Sequence, residues 1–368
     1  MTTRNEPDSP PRRIAFFISP HGFGHAARAA SVMEAVAEIE SSVLFDIFTT
    51  VPAWFFNSSS TFDFRYHSLL TDIGLHQVDP FQEDLPATVQ RLKNFLPFDR
   101  ARIAPLAEKI KRMQSELVIC DIAPMGILIA SAANVPSVLV ENFTWDWLYR
   151  GYAEAGINQF SQYLQSIFDE ANYHIQTQPI CNPAPVDLTA APASRKIRTP
   201  SGEIRQKLGL TESCKVVMIT AGGVPKSYGF IEKLKKQTAT FFILAGARKS
   251  VDIQDNLILL PENSAFFFPD LINASDAVIG KVGYSTIAEV YHAGVPFGYS
   301  ARTHYRESAP LVNFIENEMH GFTIGQSEFN KGDWIRRIDD LLALPRVQRN
   351  TSNGAGQIAG FINNLLKL

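Results

Sequence analysis

The stretch Asp276-Ala-Val-Ile-Gly-Lys-Val-Gly-Tyr-Ser-Thr-Ile-Ala-Glu-Val-Tyr-His-Ala-Gly-Val-Pro296 decides the fold class. Residues 277–280 are apolar with no polar alternation, which predicts a strand buried on both faces. A glycine turn follows. Tyr284 to Ala293 then carries a helical pattern, and Gly294 stops it. Pro296–Tyr299 reads as the next strand. Strand, glycine turn, helix and strand in this order build a parallel sheet covered by helices.

The same alternation extends outward in both directions. Ile14–Ser19 reads as a buried strand, followed by a glycine turn and a helix from about His25 to Glu40. Strands are predicted at Val43–Phe48, near Phe64–Leu69, at Leu117–Cys120 and at 137–140. Residues 86–115 read as helical with breaks at Pro97 and Pro105, and 125–133 as a helix. Between 178 and 200 the pattern lapses into Pro179, Pro183, Pro185, Pro192 and Pro200, the best linker candidate. It resumes with strands at Lys215–Thr220, Phe241–Leu244 and Leu257–Leu260. Helices are predicted near 308–318, 331–343 and 355–367. The expected layout is a flexible tail over 1–11, a Rossmann-like domain over 12–178 and a linker over 179–198. A second Rossmann-like domain follows over 199–345, and a C-terminal helix over 346–368 that can pack back on the first domain. The fold class is α/β, with two doubly wound domains facing across a cleft.

The 368 residues suit two domains at about 150 residues each. Hydrophobic residues at 45% and charged residues at 19% exclude a disordered chain. A net charge of −3 supplies no general basic face for nucleic acid, so no nucleic-acid partner is expected. Cys120, Cys181 and Cys214 form no CxxC pair, which excludes a disulfide scaffold and the usual zinc spacings and suits a reducing, cytoplasmic location. Met1–Arg13 has no apolar run, so no secretory leader is expected. The longest charge-free run, Ile122–Val140, is broken by Pro124, Asn134 and Pro136, so no transmembrane segment is expected.

Several strand ends carry chemistry. Ser19-Pro-His-Gly-Phe-Gly-His25 places His21, Gly22, Gly24 and His25 between a strand and a helix, where backbone N–H groups and the helix terminus favour an anion. Its spacing is not the dinucleotide fingerprint GxGxxG. Asp121 ends the strand Leu117–Cys120. It either orients a histidine or caps the helix after it. Ser285 and Thr286 stand at a helix start, and Glu289 lies one turn further, as a capping partner or a ribose ligand. Lys281 meets a phosphate or lies in solvent. Gly222 and Gly223 sit in another strand-end turn. Arg302-Thr-His-Tyr-Arg306-Glu307 clusters charge after a strand, as a substrate loop or a solvated one. Asn142-Phe-Thr-Trp145-Asp-Trp147 is packed interior or the wall of a cleft.

Taken together, these features resemble the GT-B nucleotide-sugar glycosyltransferases. Residues 276–296 are similar to the donor-site region of the N-acetylglucosamine transferase that makes lipid II. A nearer resemblance is to the N-terminal glycosyltransferase-like region of plant L-arabinokinases and bacterial stand-alone relatives. It is carried by His21–His25, Asn142–Asp146, Gly280–Thr286 and Arg302–Glu307, and spans about residues 12–345.

The resemblance implies roles. His25 would deprotonate an acceptor hydroxyl, with Asp121 as its partner. Gly222, Gly223, Lys281, Gly283, Ser285 and Thr286 would hold the donor diphosphate, and Glu289 the ribose. Arg306 and Glu307 fall where relatives carry Asp-Gln or Gln-Gln, a departure at the sugar-recognition loop. His21, Gly22, Gly24 and Trp145 would lie on the acceptor side. The implied activity is a hexosyl- or pentosyltransferase that inverts and uses a UDP-linked donor as substrate, with an unidentified hydroxyl acceptor. No Asp-x-Asp pair is present, so no metal and no cofactor are expected. Two alternatives share the fold: a nucleotide-sugar-binding regulatory module without turnover, and a GT-B-type nucleotide-sugar epimerase. The latter would want more carboxylates near the sugar than Glu307 and Asp121.

Overall fold

The computed structural model describes residues 11–152, 155–221, 228–248 and 250–367. Gly222 and Gly223 lie outside these residues, as does all but one residue of the tail expected over 1–11. Sixteen strands are present among the described residues. In the first half they are β1 (Arg12–Ile18), β2 (Val43–Thr49), β3 (Phe64–Ser68), β4 (Gln77–Asp79), β5 (Gln82–Glu83), β6 (Leu117–Asp121), β7 (Ser137–Glu141), β8 (Tyr173–Thr177) and β9 (Leu188–Ala190). In the second they are β10 (Lys215–Thr220), β11 (Thr240–Arg248), β12 (Asp252–Gln254), β13 (Leu257–Pro261), β14 (Ala277–Lys281), β15 (Phe297–Ser300) and β16 (Gly321–Thr323).

They form two seven-stranded sheets, ordered β3-β2-β1-β6-β7-β8-β9 and β12-β13-β11-β10-β14-β15-β16. Every pairing within them is parallel except β12 with β13. Strand order reverses beside β1/β6 in one sheet and beside β10/β14 in the other. Crevices at the carboxyl ends of strands open at such reversals. The turn after β1, Asp121 at the end of β6, and Lys281 at the end of β14 therefore all sit at the mouths of these crevices.

The apolar strands explain the sheets. Ile14 to Ile18 is buried throughout, with Phe17 packing on one face and Ile14 and Phe16 on the other. Helix Gly24–Ile39 lays an alanine-rich surface on that second face. Helix Gly354–Leu365 covers the same face through Ile358, Ala359 and Ile362. Asn353 caps that helix and also binds the backbone of Ser194.

Three local readings change. Residues 179–198 are not free chain, because β9 adds to β8 as the outermost strand. An edge position tolerates a proline-rich neighbourhood, since one row of its backbone groups needs no partner. Helix Arg100–Arg112 runs through Pro105, whose ring lies on the exposed face, and the carbonyl it leaves free belongs to exposed Ala101. The irregular stretch after β3 contains the β4–β5 hairpin, and its Phe81 packs on Phe329 of the second half, with ring centroids 5.5 Å apart. The charge-free run 122–140 resolves into helix Pro124–Ala133, a left-handed turn at Asn134, and β7. No helix among the described residues is long and apolar enough to cross a membrane.

Candidate active site

β1 ends at Ile18, whose parallel neighbour is Asp121. The chain reverses through Gly22, at φ +71°, and begins a helix at Gly24. A left-handed φ is cheap only for glycine. His25 thereby returns over the end of β6, and its Nδ1 lies 2.9 Å from Asp121 Oδ1. An ionised carboxylate only accepts, so Nδ1–H donates, and in the neutral ring the lone pair is then on Nε2. Asp121 does not cap the following helix, which has no side-chain cap.

Arg28, one turn beyond His25, is 1% exposed. Its Nε and Nη2 donate to Asp121 Oδ2 and Oδ1 at 2.8 and 2.6 Å, and Nη1 donates to Asn142 Oδ1 at 2.8 Å. Asn142 Nδ2 in turn donates to Glu307 Oε1 at 3.0 Å. A continuous buried chain thus runs from His25 in the first half to Glu307 in the second. Burial alone would raise the Asp121 carboxyl; the charge and hydrogen bonds of Arg28, with the hydrogen bond of His25, hold it below its ordinary value. Nearby, Asp72 accepts from Ser19 Oγ at 2.9 Å, and burial pushes its carboxyl up to about 8.

Across the cleft, helix Tyr284–Ala293 begins after Gly283 with no side chain capping its first turn. A Cβ placed on Gly24 would stand 3.6 Å from Ser285 Oγ, so two helix N-termini confront each other. Lys281 is buried and has no hydrogen-bond or ion-pair partner among the described residues. Burial, and then the charge of Arg302, lower its amine to about 7, against the opposing pull of Glu307, Glu83 and Asp79. Arg302 is itself paired with Glu83 of the hairpin at 2.9 Å. Burial and the surrounding cations hold the His21 imidazole well below its ordinary value, and so neutral.

Two cavities meet here. The smaller, about 80 Å³, is lined by His21, His25, Lys281, Arg302 and Glu307. The larger, about 370 Å³, is lined by Glu289, Arg195, Phe266 and Phe267 from one side and Trp54 and Phe55 from the other. Phe23, Gly24, Ser285 and Thr286 border both. Glu289 is neither a capping partner nor free: its Oε1 accepts from Arg195 Nε at 2.8 Å. Among the described residues no three His, Cys, Asp or Glu side chains gather as a metal site.

Most of the sequence candidates within the described residues line these cavities, Asp121 stands behind His25, and two lie elsewhere. Arg306 turns outward, donating to the Trp147 carbonyl and stacking 4.1 Å above its ring, while its neighbour Glu307 turns inward. Trp145 is 1% exposed, so it is no wall of a cleft; its ring contacts those of His21 and Phe143, 5.2 and 5.3 Å between centroids. The sequence reading missed Arg28 and Arg195. Arg28 had a signal: it is the one charged residue between Gly24 and Val32, three positions from His25.

No protein-family model matches the chain. It is 26% identical over 356 residues to the L-arabinokinase of Arabidopsis thaliana, covering 95% of this chain and 34% of that one, so it spans about a third of that relative's length. It is 23% identical over 286 residues to the UDP-N-acetylglucosamine--N-acetylmuramyl-(pentapeptide) pyrophosphoryl-undecaprenol N-acetylglucosamine transferase of Bacillus licheniformis, covering 71% of this chain and 75% of that one. The calicheamicin glycosyltransferase structure matches at a TM-score of 0.62 and 14% identity, over 97% of this chain and 98% of that one. Two parallel-sheet domains meeting at a cleft, on such neighbours, give this protein the GT-B fold of the glycosyltransferases.

Proposed function

We propose that the chain is a glycosyltransferase that moves a sugar from a UDP-linked donor to a hydroxyl acceptor, with inversion and without a metal. The observation that carries this reading is one small cavity that gathers His25, held from behind by Asp121, an uncapped helix N-terminus, and Lys281, which has no partner among the described residues. His25 Nε2 takes the acceptor proton as the acceptor oxygen attacks the anomeric carbon. The bond from that carbon to the diphosphate oxygen breaks, and its electron pair leaves on the nucleoside diphosphate. Lys281 and the N–H groups of Ser285 and Thr286 meet the charge that develops there. Glu307 faces the sugar, and the larger aromatic cavity takes the nucleoside, with Glu289 on the ribose. The relative named for UDP-N-acetylglucosamine supports a UDP-linked donor. A cytoplasmic site of action fits the three free cysteines.

One observation favours a second reading, a nucleotide-sugar-binding module without turnover. Arg28 already neutralises Asp121, which leaves less negative charge to stabilise a His25 imidazolium. Incubation with UDP-, GDP-, dTDP- and ADP-sugars, read by thermal shift and by release of the diphosphate, separates the two. A selective shift with release supports the transferase. A shift with no release across many acceptors supports the module, and no shift with any donor overturns both.

A further inference from the structure

We propose that Arg195, carried between the two sheets, is the positioning residue that presents the Glu289 carboxylate to the ribose hydroxyls of the donor. The proposal rests on the reading of Glu289 as the ribose ligand. Arg195 follows β9 and precedes β10, so it belongs to neither sheet. Its Nε donates to Glu289 Oε1 at 2.8 Å and its Nη1 to Ser59 Oγ at 3.1 Å. The guanidinium lies 5.1 Å from the ring centres of both Phe55 and Phe267. Phe55 and Ser59 come from the helix Ala53–Ser59 of the first half, while Phe267 and Glu289 come from the second. One planar cation is therefore fixed by groups from both halves.

This geometry leaves Glu289 Oε2 with no hydrogen bond among the described residues, while the side chain borders the 370 Å³ cavity. A carboxylate held at one oxygen by a rigid donor points the other in one direction, and a ribose diol needs such an oriented acceptor. Burial by itself pushes the Glu289 carboxyl up, and the charge and hydrogen bond of Arg195 oppose that. A protonated Glu289 would lose acceptor strength. Lysine keeps the charge but reproduces only part of the support, because its point charge does not lie flat between two rings. Because half of its anchors lie across the cleft, ribose binding requires the two halves to be in their present arrangement.

The test compares UDP with 2′,3′-dideoxy-UDP by calorimetry on the full chain and its Arg195→Met, Arg195→Lys and Glu289→Gln variants. The wild-type chain should prefer UDP. Arg195→Met should lower that preference about tenfold, the loss of a charge-assisted hydrogen bond, while its affinity for the dideoxy nucleotide barely moves. Arg195→Lys should restore part of the preference, and it carries the test alone if the methionine variant does not fold. Equal weakening of both nucleotides would overturn the inference, since Arg195 would then only tie the halves together. No change in either would also overturn it. If Glu289→Gln leaves the preference intact, or UDP does not bind the wild-type chain, the ribose reading itself falls. If Glu289→Gln abolishes the preference and the Arg195 variants keep it, only the role of Arg195 falls.

Discussion

Arg28 grips Asp121 with two hydrogen bonds, one to each carboxylate oxygen, at 2.6 and 2.8 Å, inside the protein and directly behind His25. Both side chains are essentially removed from water. Taking away one member of such a pair strands the other in a medium that solvates it poorly. Arg28→Met should therefore destabilise the fold by about 3–5 kcal/mol, read by urea unfolding. Pairing it with Asp121→Asn should recover part of that loss, because the stranded charge goes too. Additive losses would mean that the two residues act separately.

His25 offers a cleaner split between binding and chemistry. Its Nδ1 is fixed on Asp121, and its ring borders the cavity beside Lys281. His25→Ala should slow sugar transfer by about 10²–10⁴-fold, the usual worth of a general base. Nucleotide affinity, measured separately, should stay within about twofold, because a group acting only in the transition state adds little to ground-state binding. A variant that transfers at the wild-type rate would remove His25 from the mechanism.

Lys281 should make donor binding depend on pH. Its buried amine sits near 7, so the unliganded protein is about half charged there and mostly neutral at higher pH. A diphosphate favours the charged form, so binding above about pH 7 takes up a proton, and affinity falls as pH rises by up to about tenfold per unit. Calorimetry in two buffers of different ionisation enthalpy should show that uptake, and Lys281→Met should abolish it. The sign for folding is opposite to that for binding. The folded value lies below the unfolded 10.5, so the unfolded chain binds more protons between about 7 and 10. Stability of the ligand-free protein should rise with pH across that window.

The strands were legible because parallel, doubly covered strands are continuous apolar runs, as Ile14–Ile18 and Ala277–Gly280 show. The strand-end candidates were legible for a related reason: glycine turns after such strands fall at the mouth of the sheet, which is where His25 and Ser285 stand. What stayed hidden depends on long-range contact. Arg195 reads as one of three basic residues between Pro192 and Pro200, and only folding brings Glu289, 94 positions later, against it. Trp145 and Arg306 read as cleft residues because aromatic and charged side chains near a strand end suit either place; packing sends the first inward and the second to the surface. The β4–β5 hairpin has too short an apolar pattern to announce itself, and Arg302, 219 positions after Glu83, supplies its ion pair.

Asp72 should behave as a buried acid that costs stability when it ionises. It is 3% exposed; Oδ1 accepts from Ser19, and Oδ2 has no hydrogen-bond partner among the described residues. Burial lifts its folded value to about 8, with the neighbouring Asp121 charge adding to the shift and the Ser19 hydrogen bond opposing it. The unfolded chain should titrate near the ordinary carboxyl value of about 3.9, so the folded state holds an extra proton between about pH 4 and 8. Folding stability from this group is present at the acid end of that window and is lost as pH rises through it. An Asp72→Asn variant keeps an amide oxygen for Ser19 and has no charge to bury. The variant's melting temperature should therefore exceed the wild-type value at about pH 8, and the gap should close toward about pH 5. A gap that is constant across this range would show that Asp72 ionises freely in the folded protein, with solvent reaching its Oδ2.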